Sequence, residues 1–100
     1  MSKEIIHSDL APAAVGPYIQ GAKLGNVVFT SGQLGIDVNT GEFAGSDVAA
    51  QAHQSMKNLG EVLKAAGSDY KKIVRTLIFL TDMNDFAVVN EIYQSYFDGE

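Results

Sequence analysis

Tyr18, Gln20, Ser31 and Gln33 are four residues whose types could bind a small polar molecule and whose spacing could bring them together. Two apolar runs, residues 18–24 and 27–31, flank Gly25-Asn26, a pair that reads as a two-residue hairpin turn. With those two residues as the loop, Leu24 faces Val27, Ala22 faces Phe29, Gln20 faces Ser31 and Tyr18 faces Gln33. Directly opposed residues of an antiparallel pair project to the same side of the sheet. The register therefore predicts that a phenol, a hydroxyl and two amides converge at the end far from the turn, while Leu24, Ala22, Val27 and Phe29 keep the turn end apolar. A ligand would be sought in that polar corner. The competing reading is that these groups are solvated or bonded to a loop, and none of them is a strong general base.

The elements that must position this corner follow from periodicity and turn chemistry. Residues 4–7 read as a short first strand, followed by a turn-rich segment around Ala11-Pro12 and Gly16-Pro17. Residues 37–45 contain Asn39-Thr40-Gly41 and read as a loop. Ser46 or Asp47 then supplies an N-cap, because a short oxygen-bearing side chain accepts from the free amides of a first helical turn. Val48, Ala52, Met56, Leu59, Leu63 and Ala66 follow at helical spacing. Gln51, Gln54, Asn58 and Glu61 fall elsewhere on that helix, and Gly67 stops it. Gly60, which costs about 1 kcal/mol relative to Ala inside a helix, implies close approach of a neighbouring backbone.

Residues 73–80 form the strongest strand, with Ile73, Leu77 and Phe79 on one face and Val74, Ile78 and Leu80 on the other. Apolarity on both faces means that both are covered. Helices account for one side, and a second subunit is the economical cover for the other. Asn84 or Asp85 caps a second helix, with Phe86, Val89, Ile92, Tyr93, Tyr96 and Phe97 on its buried stripe, aromatics better suited to a core than to a binding box. Strand, hairpin, helix, strand, helix is the order of an α/β (α+β) domain with a mixed sheet and helices on one face.

Composition excludes several function classes. The 100 residues suit one domain, and 46% hydrophobic content can supply its core. The first seven residues lack the long apolar run of a secretory signal, and no stretch approaches the length of a membrane span, so the cytoplasm is the expected compartment. Without cysteine, disulfides, thiolate catalysis and zinc–sulfur sites are excluded within the chain. A formal charge of −5 opposes a phosphate-binding surface; the one adjacent basic pair is Lys71-Lys72, and Arg75 is the sole arginine. His7 and His53 have no partner at ligand spacing, so no metal is expected. Helix capping explains Asp82, Asn84 and Asp85, and no glycine-rich loop has phosphate-cradling spacing, so no cofactor is expected.

Gly16-Pro17-Tyr18, Thr30-Ser31-Gly32-Gln33, Ala49-Ala50-Gln51-Ala52 and Asp85-Phe86 with Val89-Asn90, in that order, resemble the RidA (YjgF) family from about the first strand to the last residue. The resemblance implies a chorismate-mutase-like fold and a cofactor-free hydrolase that releases ammonia from 2-iminobutanoate, 2-iminopropanoate and related enamines. It further implies a homotrimer with the substrate cleft between subunits, and some members have been credited with ribonuclease activity.

Residue by residue, Tyr18 resembles the tyrosine that lines the cleft, Ser31 the serine that contacts substrate or a bound water, and Asn90 the asparagine near the pocket. Gly32 lets the backbone approach closely, which a side chain there would hinder. The competing reading of Asn90 is an exposed polar flank beside Phe86. In the family two more strands follow the second helix and carry an arginine for the substrate carboxylate and a glutamate that positions the hydrolytic water. Neither position occurs within 1–100, which implies a single domain lacking its final strands and a poor deaminase as it stands. Arg75 has the chemistry of a carboxylate clamp but not the family position. The alternative function is a non-catalytic trimeric module that binds small carboxylates or protein clients in a regulatory or chaperone-like role.

Overall fold

The computed structural model describes residues 3–13, 19–73, 78 and 82–97. Within them, strands β1 (Glu4–Ile6), β2 (Gly21–Leu24) and β3 (Val27–Thr30) pair antiparallel in the order β1-β2-β3. Helix α1 spans Val48–Ala65 and helix α2 spans Phe86–Gln94, with short 3-10 turns at Tyr70–Lys72 and Met83–Asp85.

The hairpin has the expected register: Leu24 opposes Val27, Lys23 opposes Val28, Ala22 opposes Phe29 and Gly21 opposes Thr30. Gly25 takes φ of 61°, as the first central position of a type II′ turn requires. The Ser31 amide donates to the Gln20 carbonyl at 2.9 Å, continuing the pairing one step beyond the strands.

The two sides of this sheet have different fates. Ile6 packs with Ala11, Val62 and Ala66 in the core, and Val28 lies against that cluster. A Cβ on Gly21 would stand 3.3 Å from Val62 Cγ1 and 3.1 Å from the Phe29 carbonyl, so its absence lets α1 close onto the sheet. The opposite side, carrying Ile5, Leu24, Val27 and Phe29, is exposed.

Helix α1 begins at Asp47, whose side chain accepts from the Ala50 amide at 2.7 Å. It ends in a Schellman arrangement: Gly67, at φ of 77°, donates to the Lys64 carbonyl at 3.0 Å, and Ser68 donates to Leu63 at 2.8 Å. Met56, Leu63 and Ala66 of the expected stripe are buried, but so are Val62, Asn58 and Gly60. The expectation that Asn58 lies off the buried face is therefore corrected. Contacts with the sheet and residues 34–36 on one side, and with α2 and Tyr70 on the other, bury a wider arc than one stripe. The reading of Gly60 is corrected as well: its neighbour is a ring rather than a backbone. A Cβ there would lie 2.2 Å from Tyr70 Oη and 2.8 Å from Cζ.

Helix α2 packs on α1. The capping carboxylate is Asp82, which accepts from the Asn84 amide at 2.9 Å at the preceding 3-10 turn, whereas Asp85 makes no side-chain cap bond to α2. Phe86, expected on the buried stripe, is 51% exposed, while Val89 is buried. Tyr93, Tyr96 and Phe97 join Tyr70 in one ring cluster, with centroids 4.8 Å apart for Tyr93–Phe97 and 5.4 Å for Tyr70–Tyr96. The expected strand at 73–80, and with it the pairing that would make the sheet mixed, lies outside the described residues apart from Ile73 and Ile78.

Candidate functional site

Of the polar groups expected at the far end of the hairpin, Gln20, Ser31 and Gln33 are described, and each has a protein partner. Gln20 is only 3% exposed. Its Oε1 accepts from the Ser8 amide at 2.6 Å, and its Nε2 donates to the carbonyls of Ser8 at 3.1 Å and Pro12 at 2.9 Å. This amide ties residues 8–12 to the sheet and presents nothing to a ligand. Gln33 donates to the Ser31 carbonyl at 3.3 Å. For both glutamines, bonding to a loop is the reading that fits.

Ser31 is half-buried, and its hydroxyl donates to the Ile19 carbonyl. That bond directs the proton inward and leaves the oxygen as an acceptor. Gly32 is exposed, and a Cβ there would meet nothing within 4 Å, so the space beside its backbone is open. Asn90 is exposed on α2, one residue after buried Val89. Tyr18 and Arg75 lie outside the described residues.

The segment that carries Ser31 and Gly32 continues into a loop moored on α1. Ile36 and Phe43 form an isolated bridge, the Asp37 amide donates to Glu42 at 2.8 Å, and Gly41 at φ of 73° closes the turn between them. Gly35 is pressed against the helix: a Cβ there would come within 2.5 Å of the Gln51 carbonyl oxygen. Asn58 Nδ2 donates to the Leu34 carbonyl at 2.9 Å and to the Ile36 carbonyl at 2.8 Å. Its Oδ1 accepts from Gln54 Nε2 at 2.9 Å, and Gln51 Nε2 donates to the Gly45 carbonyl at 3.1 Å. Sequence reasoning missed this contribution of Gln51, Gln54 and Asn58. The available signal was their i, i+3, i+7 spacing, which puts three amides on one side of the helix.

The histidines are engaged elsewhere. His7 Nε2 lies 2.9 Å from Asp9 Oδ1, and His53 Nδ1 lies 3.1 Å from Tyr96 Oη. Among the described residues, no group of three or more His, Asp or Glu side chains could hold a metal ion. The Tyr70 phenol, which donates to the Met56 carbonyl, is pushed up to about 12 by burial first and then by the neighbouring Tyr96 and Glu61 charges. Burial raises Tyr96 as well. Neither phenol is poised to ionise near neutral pH.

The family profile described as Endoribonuclease L-PSP matches residues 8–100. The chain belongs to that family. It is the family also called RidA or YjgF. The chain is 46% identical to a Mus musculus protein named 2-iminobutanoate/2-iminopropanoate deaminase, over 97% of its own length and 72% of the relative's. A protein of the same name from Escherichia coli strain K12 is 50% identical over 97% of the chain and 74% of the relative. Among solved structures, E. coli TdcF with bound serine superposes with a TM-score of 0.91 at 45% identity, covering 95% of this chain and 74% of that one. Two helices on a small antiparallel sheet are thus this RidA family member's fold. No helix among the described residues is long and apolar enough to cross a membrane.

Proposed function

We propose that this RidA family chain is a cofactor-free hydrolase that converts 2-iminobutanoate, 2-iminopropanoate and related imines or enamines to 2-keto acids and ammonia. The observation that carries the reading is the shared name of relatives 46% and 50% identical across 97% of the chain. The chemistry is addition of water to a C=N bond: the water oxygen becomes the keto oxygen, and nitrogen leaves as ammonia. Such a reaction needs orientation of the imine and a held water more than it needs a strong base.

Tyr18, Ser31, Gly32 and Asn90 bind the substrate. An inward-directed Ser31 proton leaves the hydroxyl oxygen to accept from the substrate N–H or from the water. Open space beside Gly32 admits the planar imino acid to the backbone. The protein works in the cytoplasm as a homotrimer with the cleft between subunits. The exposed side of the three-stranded sheet supports self-association, since Phe29 at 63% and Ile5 at 61% exposure belong to one apolar face.

A second reading, a module that binds small carboxylates without turning them over, is favoured by the bound serine in the TdcF structure. The assay that separates the two generates 2-iminobutanoate in situ beside a trapping amine and follows keto acid release. Release faster than in the protein-free mixture, and reduced by Ser31→Ala, is expected for the hydrolase. Binding of small carboxylates with no acceleration would replace it with the second reading.

A further inference from the structure

Asn58 is 1% exposed on α1, and every hydrogen-bonding atom of its amide is used. Leu34 and Ile36 present main-chain carbonyls, which only accept, so the amide nitrogen must face them and both its protons are consumed. Gln54 donates to the remaining oxygen and fixes the orientation of the amide. Between the two clamped carbonyls, Gly35 fits against the α1 backbone at Gln51, a contact that no side chain could share. Residues 34–36 are thereby pinned to the helix at three successive positions. Ser31 and Gly32 lie two to three residues upstream, with Ser31 held at its other end by pairing to Gln20 and by its bond to Ile19.

We infer that Asn58 is a positioning residue for the proposed hydrolysis: it holds the Leu34 and Ile36 carbonyls on α1 and so sets where the segment 31–33 presents its hydroxyl and open backbone to substrate. This rests on the reading of Ser31 and Gly32 as substrate-binding. Asn58 reaches no substrate itself. Its effect runs through main-chain placement, and displacement of binding groups by about 1 Å costs on the order of a hundredfold in rate.

The test compares Asn58→Asp with Val62→Ala, a core substitution on the same helix that leaves residues 34–36 untouched. Asn58→Asp keeps the shape but removes both donated protons and sets a carboxylate against two carbonyls. It should lower kcat/KM for in situ 2-iminobutanoate by about a hundredfold, chiefly through KM. Lowering the pH should restore part of this, because the protonated carboxyl can donate to one carbonyl again. Val62→Ala should lower Tm with KM unchanged. Equal losses in the two variants, tracking the folded fraction alone and without recovery at low pH, overturn the inference.

If Asn58→Asp does not fold, Gln54→Ala, which only frees the orientation of the Asn58 amide, should show a smaller rise in KM. No rise in KM overturns the inference there as well. If the parent chain turns over no imine, the proposed function fails on its own, and amide exchange decides the positioning. Protection at Asp37 and Ala44 should fall in the Asn58 or Gln54 variant while that of α1 persists, and uniform loss refutes it.

Discussion

Replacing Gly60 with alanine tests the packing of α1 because two general effects oppose each other there. In an exposed helix interior, Gly→Ala stabilises by about 1 kcal/mol through backbone entropy. Here the new methyl would lie 2.2 Å from Tyr70 Oη and 2.8 Å from Cζ, far inside contact distance. The ring must move, yet it packs at a tilt against Tyr96 at 5.4 Å and edge-on against Phe97 at 6.3 Å, and its hydroxyl bonds to the Met56 carbonyl. Forcing an extra carbon into a packed site costs about 1–3 kcal/mol, and losing the hydroxyl bond adds about 1 kcal/mol. Less the helix gain, Gly60→Ala should destabilise by about 1–3 kcal/mol. Each kcal/mol lowers Tm by roughly 4–8 °C in a domain of this size. In a Tyr70→Leu background, where the side chain ends short of the clashing atoms, the same substitution should stabilise by about 1 kcal/mol. Urea unfolding of the four proteins in the cycle measures both signs. A Gly60→Ala variant as stable as its parent would refute the notch-and-ring account.

Asp47→Ala removes the acceptor for the Ala50 amide and should cost about 1 kcal/mol, read as a lower urea midpoint at unchanged m-value. Alkaline titration should weaken the fold. The folded Tyr70 phenol is pushed up to about 12 against an ordinary 10.0, so its contribution is complete below pH 10 and lost as pH rises through about 12. The part of the tyrosinate absorbance that Tyr70→Phe removes should accordingly appear late in the folded protein, and the same substitution should remove part of the alkaline loss of stability.

What was legible in the sequence was local. Gly25-Asn26 between two apolar runs sets a register that every observed pair obeys. Asp47 and Gly67 bound α1 because an unpaired amide needs an acceptor and a left-handed residue needs no Cβ. Exposed Phe86 shows the opposite case. Helical spacing says which residues share a face, but not how far a short α2 is covered by its neighbours. Asp85 stands at the expected N-cap of α2 without a side-chain bond there; a 3-10 turn precedes α2, and it is Asp82, at the start of that turn, that has a free amide within reach.

The polar residues of the site were the least legible, and the reason is physical. An amide gains little by exposure and much by satisfying buried carbonyls, since a main-chain group left unpaired costs about 1–3 kcal/mol. Gln20 and Asn58 meet that need on two loops, at residues 8–12 and 34–36. Both loops are distant from their amide in sequence, and helical or strand periodicity carries no information about loops. A polar corner drawn from the hairpin register alone therefore counts Gln20 as a ligand contact, when its amide is already consumed in holding the chain. Of the groups in that corner, Ser31 differs: its one proton is engaged by Ile19, and its oxygen keeps accepting capacity. In the proposed hydrolysis, binding to substrate falls to that oxygen and to the backbone beside Gly32, with the amides as the frame that holds them in place.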